Sequence, residues 1–218
     1  DDAALTRAVI ESARALDATV VCPAEFVSAI RQDEGYEVCL QQVSNKKFLR
    51  TKILINAAGP WNATVADRII PVPHKPEITL VQGSHLVLNQ RLSDSCFYLE
   101  SPRDRRAVFV LPWKDLTLVG TTETPYRGDP SMATCSDQDE SYLLETVGHY
   151  FPDYAQNAKV TEKMAGLRVL PQASSGLHNR SRDVLIHHAL AGNSGYISVC
   201  GANLPGYRAT AEDVKDWI

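Results

Sequence analysis

The sequence lacks the patterns of a membrane-spanning, zinc-binding or disulfide-rich protein. Its longest apolar runs, residues 53–58 and 107–112, are far shorter than the ~20 residues that a membrane-spanning helix needs. The five cysteines are odd in number and widely spaced, with no C-x-x-C pair, so we expect a reducing compartment and no structural zinc. His187 and His188 are adjacent and would point to opposite sides of a strand, so we expect no shared metal ion.

A strong excess of one charge is also missing. The 22 Lys and Arg residues and 26 Asp and Glu residues give a net charge of −4, so we expect no nucleic-acid-binding surface. Hydrophobic residues make up 44% of the 218 residues and charged residues 22%, which is typical of a globular protein. The sequence begins at Asp1 with neither an initiator methionine nor a signal peptide, and we expect it to be a piece of a longer chain.

The hydrophobic periodicity predicts a mixed fold of helices and strands. Leu5, Val9 and Leu16 recur at helical spacing and predict an opening helix. Ser136 followed by Asp139 predicts the start of a helix over residues 137–151, and residues 206–218 form a predicted closing helix. Short alternating or β-branched runs predict strands at residues 18–22, 36–41, 48–55, 78–81, 85–88, 96–99, 107–111, 116–122, 160–170, 183–189 and 196–200.

Two segments of small residues are candidate ligand contacts. The strand at residues 52–55 runs out into Asn56-Ala57-Ala58-Gly59, where the backbone can approach a ligand because no bulky side chain intervenes. Residues 200–206 (Cys-Gly-Ala-Asn-Leu-Pro-Gly) precede the closing helix, whose N-terminus favours an electron-rich group. A tight strand exit and a plain loop explain the same residues without a ligand, so both readings stay open.

Two polar residues interrupt apolar strands. His85 lies within Gly-Ser-His-Leu-Val, where it is either a hydrogen-bonded structural residue or a catalytic group of a cleft. Arg168 lies between Leu167 and Val169, and its permanent charge requires an anion. That anion is either a buried carboxylate or a bound substrate.

Together and in this order, these residues resemble the FAD-dependent glycerol-3-phosphate dehydrogenases, within the wider D-amino-acid-oxidase-like flavoproteins. The resemblance covers nearly the whole chain, with Ser181-Arg182-Asp183 resembling the family's short arginine motif. The five matching motifs are Asn56-Ala57-Ala58-Gly59-Pro60-Trp61, Gly83-Ser84-His85, residues 108–113 continuing to Gly120-Thr121-Thr122-Glu123, Gly128-Asp129-Pro130 and Gly166-Leu167-Arg168-Val169-Leu170-Pro171.

The resemblance implies the later part of a two-domain FAD-dependent oxidoreductase of mixed α+β and α/β class. Residues 1–70 would be a partial FAD-binding domain, residues 71–195 a substrate-binding domain with a mixed sheet flanked by helices, and residues 196–218 the returning strand and helix of the FAD-binding domain. The family's G-x-G-x-x-G motif is missing, and we expect it upstream. The chain alone is then expected to be inactive and to lack FAD.

The resemblance also implies roles for individual residues. His85 would be the base or would orient the substrate hydroxyl, while Arg168 and Arg182 would bind the phosphate of glycerol 3-phosphate as it is oxidised to dihydroxyacetone phosphate. Where the family has Gly-Gly-Lys, this chain has Gly201-Ala202-Asn203, which replaces a cation with a neutral amide. The residues implied to contact FAD are Phe26, Ala58, Gly59, Gly201, Asn203 and Leu204.

The resemblance implies a cytoplasmic enzyme, with peripheral attachment to the inner face of the membrane and either quinone or oxygen as electron acceptor. It implies no metal and leaves the oligomeric state open. Because Asn203 replaces the lysine, oxidation of another hydroxy acid or an amine is an alternative. A second alternative is an isolated, non-catalytic domain that has a structural role or binds a partner.

Overall fold

The computed structural model of this protein describes residues 2–171, 184–192 and 194–218, and it confirms the mixed α/β class. The helices are α1 (Asp2–Ala15), α2 (Asn62–Ala66), α3 (Asp137–Tyr150), α4 (Pro152–Ala155) and α5 (Tyr207–Lys215). The strands are β1 (Glu25–Gln32), β2 (Gly35–Gln41), β3 (Lys46–Thr51), β4 (Ile53–Asn56), β5 (Ile69–Ile70), β6 (Ile78–Leu88), β7 (Phe97–Glu100), β8 (Ala107–Trp113), β9 (Leu116–Gly120), β10 (Thr124–Tyr126), β11 (Val160–Pro171), β12 (Leu185–Ala191) and β13 (Ser194–Cys200).

The chain divides into two compact units. Unit 1 comprises residues 1–77 and 173–218, and unit 2 comprises residues 78–172. Unit 1 has a four-stranded sheet in the order β3-β2-β1-β5 and a three-stranded sheet in the order β12-β13-β4. Unit 2 has a six-stranded sheet in the order β10-β6-β9-β8-β7, in which β11 also pairs with β6.

Unit 1 has a small apolar core beside its four-stranded sheet. Strands β1 and β2 form an antiparallel hairpin, and alternate residues of β2, Tyr36 and Val38, point to the buried side. They pack with Ala29, Ile69 and Tyr196. Helix α1 forms where its periodicity predicts it, yet none of its residues is buried.

Unit 2 is built on the alternation of side chains along the central strand β6. Leu86 and Leu88 are fully buried on one face, where they pack with Leu143 and Val147 of α3. We call this side of the sheet the α3 face. The side chain of His85 points to the opposite side because successive residues of a strand alternate, and we call that side the His85 face.

Three sets of strand predictions were wrong. Residues 48–55 do not form one strand: the strand is interrupted at Lys52, and β3 and β4 on its two sides belong to different sheets. Residues 18–22 do not form a strand, and β1 starts later, at Glu25, beyond Pro23. A β-branched run becomes a strand only by pairing, and residues 18–22 have no strand partner within the described ranges. Residues 78–81 and 85–88 belong to the single strand β6, because β11 pairs with it continuously through Gly83.

Candidate functional site

Unit 1 brings two segments of small residues to the same edge of a sheet. Strands β4 and β13 are parallel neighbours, with Asn56 opposite Ser198 at their carboxyl ends. Parallel strands end at the same edge, so the segments that follow them, residues 57–59 and 201–204, lie side by side. The carboxyl edge of such strands is where ligands of α/β proteins bind.

Buried hydrogen bonds fix the chain at the end of β4. The Asn56 amide donates to the Tyr196 hydroxyl and to the Asn62 backbone carbonyl, both at 2.9 Å. The Asn56 side-chain oxygen accepts from the backbone N–H of Ala58 at 3.2 Å, and the Asn62 side-chain oxygen accepts from the Ser198 hydroxyl at 3.1 Å. These side chains are buried and bonded, so they hold the turn rigidly.

A groove of about 650 Å³ opens between the ends of these strands and α5. We call it the unit-1 groove. Gly59 and Gly201 have positive φ angles of 54° and 84°, which glycine adopts without strain, and the backbone is thereby presented to the groove. Its lining residues are mostly small or apolar: Ile55, Ala57, Gly59, Val199, Gly201, Ala202, Asn203, Leu204, Tyr207, Thr210, Ala211, Val214, Lys215 and Ile218.

The size and mostly apolar lining of the unit-1 groove fit one part of FAD, its flat isoalloxazine ring system. Four of the six residues implied to contact FAD line the groove: Gly59, Gly201, Asn203 and Leu204. The sequence interpretation had missed Lys215, a basic residue of α5 that also lines it. The sequence signal that could have identified Lys215 is its position in the amphipathic closing helix.

The structure does not bring every residue implied to contact FAD to the unit-1 groove. Ala58 is next to a lining residue, but its N–H bonds Asn56. Phe26 lies on β1 of the other sheet, where its carbonyl accepts a hydrogen bond from Arg68 at 2.7 Å. Its backbone oxygen is therefore occupied by an arginine in this structure.

In unit 2 the strand register places His85 and Arg168 on the same face of the sheet. His85 lies opposite Met164, and Arg168, four positions further along β11, lies opposite Val81. Side chains two or four positions apart on a strand share a face, so Arg168 is on the His85 face. Both residues are partly buried.

Two glycines provide the space that His85 and Arg168 occupy. A Cβ atom at Gly120, which lies opposite His85 on β9, would overlap the His85 ring. A Cβ atom at Gly83 would lie 3.3 Å from Nη2 of Arg168 and 2.6 Å from Oγ1 of Thr121. The Arg168 side chain therefore passes over Gly83 along the His85 face.

The electrostatics of this face favour an uncharged histidine beside a paired arginine. Burial lowers the pKa of His85 below its ordinary value of 6.5, and the positive charge of Arg168 lowers it further. Nη1 of Arg168 lies 3.1 Å from Oε1 of Glu123. A neutral imidazole near neutral pH is the form that can accept a proton. Arg182, the second arginine of the sequence prediction, lies outside the described residues.

The sequence alone assigns no role to Glu123, although the residue lies within the motif Gly120-Thr121-Thr122-Glu123. The requirement of Arg168 for an anion was the signal that could have prompted a search for a carboxylate. The partner is 45 positions away in sequence, so spacing alone could not have identified it.

Within residues 2–171, 184–192 and 194–218, no group of three or more His, Cys, Asp or Glu side chains is placed to hold a metal ion. No helix in that part of the chain has both the length and the apolar character needed to cross a membrane.

The mixed fold has a groove at the carboxyl ends of two parallel strands, which is where α/β proteins commonly bind cofactors. A family model described as FAD dependent oxidoreductase matches residues 1–211. The chain belongs to this family of FAD-dependent oxidoreductases.

Several proteins resemble the chain over nearly its whole length. It is 32% identical to a glycerol-3-phosphate dehydrogenase of Pseudomonas aeruginosa, covering 97% of this chain and 42% of that protein. It is 27% identical to a D-erythritol 1-phosphate dehydrogenase of Brucella abortus, covering 97% of this chain and 43% of that one. The crystal structure of the glycerol-3-phosphate dehydrogenase from Bacillus halodurans complexed with FAD matches with a TM-score of 0.77 and 26% identity, covering 95% of this chain and 40% of that chain. The chain therefore spans less than half the length of these relatives.

Proposed function

We propose that the protein containing this chain oxidises a small phosphorylated alcohol, with glycerol 3-phosphate as the first candidate. The observation that carries the proposal is the placement of His85, whose pKa is lowered by burial, and Arg168 on one face of the unit-2 sheet. An alcohol oxidation needs a group that accepts the hydroxyl proton, and a phosphate needs a fixed cation. The matched relatives from Pseudomonas and Brucella both bear the names of polyol-phosphate dehydrogenases.

The roles of the chain's residues follow from their chemistry. Arg168 binds the substrate phosphate through its planar donors and so orients the alcohol carbon. His85 hydrogen-bonds the hydroxyl group and accepts its proton at a ring nitrogen as the alcohol becomes a ketone. Arg182 joins Arg168 in binding the phosphate. FAD, when bound, supplies the acceptor for the hydride.

FAD binding is assigned to residues 1–70 and 196–218, and substrate binding to residues 71–195. The compact units change over at residues 77–78 and 172–173 instead, and β12 pairs with β13 in unit 1, so within residues 71–195 the substrate-binding part is unit 2. The lining of the unit-1 groove supports the first assignment, since its small residues leave the backbone accessible at Gly59 and Gly201. The positions of His85 and Arg168 support the second. The upstream G-x-G-x-x-G segment completes the FAD site, and the 218-residue chain by itself is inactive.

Reduction of the FAD in the complete protein under anaerobic conditions tests this function. Glycerol 3-phosphate should bleach the visible absorbance, whereas glycerol at the same concentration should not, because it lacks the phosphate. Arg168→Ala should raise the KM for glycerol 3-phosphate about 100-fold, the usual scale for removing one partner of a charged contact. Bleaching by an amine or a hydroxy acid, and not by any polyol phosphate, would replace the function by the alternative substrate class.

A second polyol phosphate is a specific alternative substrate. D-erythritol 1-phosphate shares the phosphate but is one carbon longer than glycerol 3-phosphate, and the Brucella relative carries its name. Comparing kcat/KM for the two compounds distinguishes them. Arg168→Ala should lower both values by a similar factor, because the phosphate is common to both.

A further inference from the structure

Glu123 occupies a segment whose neighbours point to the other side of the sheet. The Thr122 hydroxyl oxygen accepts a hydrogen bond from the backbone N–H of Ser84 at 3.0 Å, and the Thr124 hydroxyl donates to Oδ1 of Asp139 at 3.3 Å. Thr124 lies opposite Gln82, whose side chain also bonds Asp139, so Thr124 faces α3. Because side chains alternate along an extended segment, Glu123 faces the opposite side, which carries Arg168.

A buried carboxylate holds this segment in place from the α3 face. Asp139 is 5% exposed and lies in the first turn of α3. Its side chain accepts hydrogen bonds from the Ser84 hydroxyl at 2.8 Å and the Gln82 amide at 3.1 Å, besides the bond from Thr124. A buried network in which each polar group is bonded is rigid, so the network and not an exposed loop determines where Glu123 lies.

The backbone of Glu123 is fixed as well as its side chain. Its carbonyl oxygen accepts a hydrogen bond from Nη1 of Arg106 at 2.8 Å. Its carboxylate is largely buried, with 21% of the side chain exposed, and it meets a guanidinium that is 33% exposed. This ion pair is partly buried, and its glutamate is held in place by the hydrogen bond from Arg106. Such a pair restricts the rotamers of the arginine more than an exposed pair does.

We propose that Glu123 is a positioning residue that holds the Arg168 guanidinium over Gly83, in the orientation in which it receives the substrate phosphate. The inference rests on the proposed function, in which Arg168 binds that phosphate. A free arginine side chain has many rotamers, and fixing them before the substrate arrives lowers the entropy lost on binding. In this proposal Glu123 acts on the substrate only through Arg168.

Variants of Glu123 in the complete, FAD-loaded protein test the inference. Glu123→Ala removes the acceptor, and we expect it to raise both the KM for glycerol 3-phosphate and the inhibition constant of inorganic phosphate about tenfold, with kcat within about twofold. Glu123→Gln keeps an acceptor oxygen at the same place and should stay within about threefold of the wild type. The control is Glu145→Ala, which breaks the exposed pair with Arg103 and should change neither constant.

Three outcomes separate the alternatives. A fall of KM and of the phosphate inhibition constant in both Glu123→Ala and Glu123→Gln would mean that the carboxylate competes with the substrate anion, and positioning would be refuted. Unchanged constants in Glu123→Ala would refute it too. If Glu123→Ala does not fold, Glu123→Asp replaces it, because it keeps the charge but withdraws the carboxylate by one methylene. An increase of both constants in Glu123→Asp would support positioning. Unchanged constants would refute it, because the charge alone would then be sufficient.

Failure of the proposed function has a different signature. If the wild type oxidises no polyol phosphate, or if Arg168→Ala leaves the phosphate inhibition constant unchanged, the assignment of Arg168 has failed. If Arg168→Ala weakens phosphate and Glu123→Ala does not, only the positioning role of Glu123 has failed.

Discussion

The two units differ in how far their apolar faces are covered. In unit 2, Leu86, Leu88 and Leu143 are fully buried between the sheet and α3. In unit 1, α1 contributes no buried residue, and Ile55 of β4 is 44% exposed. The sheet of unit 2 therefore has a helix layer on one face, whereas the described part of unit 1 leaves helix α1 and the side chain of Ile55 exposed.

This difference indicates that more polypeptide is expected to pack on unit 1. An amphipathic helix gains most of its stability from burying its apolar face, and α1 does not bury one here. The matched relatives are more than twice as long as the chain. We therefore predict that residues of the same protein, absent from this chain, cover α1 and the edge of β4, and that unit 2 depends on them much less.

The largest predicted effect is on FAD binding. The 218-residue chain should elute from gel filtration without FAD, whereas a protein extended upstream to include the proposed G-x-G-x-x-G segment should retain it, since such a segment would bind the pyrophosphate. The measurement is the flavin absorbance of the protein peak. Retention of stoichiometric FAD by the short chain would contradict the predicted dependence of unit 1 on further residues, because unit 1 would then bind FAD without them.

Hydrogen exchange should separate α1 from α3 within the short chain. Both helices have 14 residues, but α1 has no buried residue while α3 packs its Leu143 and Val147 into the core. Helices of this length are marginal by themselves, so amides of α1 should exchange at least ~100-fold faster than those of α3. In the extended protein, α1 should gain protection and α3 should change little. Equal protection in the short chain would contradict the difference between the units.

The sequence predicted some of this arrangement and missed other parts for physical reasons. The helix α3 was predicted because its capping residues, Ser136 and Asp139, act within a single turn. The second role of Asp139, as the buried acceptor for Ser84, depends on a contact 55 positions away. Local patterns carry capping and periodicity, but they do not carry long-range contacts.

The same limit applies to the candidate sites. The small residues at positions 57–59 predicted a close approach of the backbone, and the unit-1 groove lies there. The apolar neighbours of Arg168 predicted an anionic partner, but only the fold identifies it as Glu123. The prediction of a strand at residues 18–22 was wrong because a strand needs a partner, which propensity does not supply.

In unit 2, Gly120→Ala should lower the free energy of unfolding by ~1–3 kcal/mol, because the new Cβ would overlap the His85 ring. The matched control is Gly166→Ala, at which a Cβ meets nothing within 4 Å. That substitution should leave stability within about 1 kcal/mol or raise it slightly. Urea denaturation of the complete protein measures both. An equal loss in the two variants would mean that the His85 ring does not require the glycine.

Substitution in the unit-1 groove should affect turnover and not substrate binding. Asn203 lines the groove at the position for which the sequence resemblance implies a lysine. Asn203→Lys should raise kcat for glycerol 3-phosphate about tenfold, since a cation in a partly dry site stabilises charge that develops during oxidation. The KM should change little, because Arg168 binds the phosphate. An unchanged kcat, together with better turnover of a hydroxy acid or an amine, would favour the alternative substrate class.

The smallest predicted effect is a shift in pH dependence that belongs to unit 2. Because the pKa of His85 in the folded protein lies below its ordinary value of 6.5, the neutral base persists to lower pH, and the acid limb of kcat/KM should have its midpoint below pH 6.5. The stability of the folded protein should depend on pH in the same direction. Between the folded pKa and pH 6.5 the unfolded chain takes up a proton at His85 that the folded protein does not. The contribution of His85 to the free energy of unfolding is therefore complete above pH 6.5 and is lost as the pH falls toward the folded pKa.

Arg168→Gln tests the cause of that shift. Removing the positive charge should raise the pKa of His85 and move the acid limb toward pH 6.5 by less than ~1 pH unit, because burial is the larger cause and remains. Arg103→Gln, which removes an exposed charge paired with Glu145, is the control and should leave the limb in place. A limb centred above pH 6.5 in the wild type, or one that Arg168→Gln moves to lower pH, would show that the neutral histidine of unit 2 is not the group that limits the reaction.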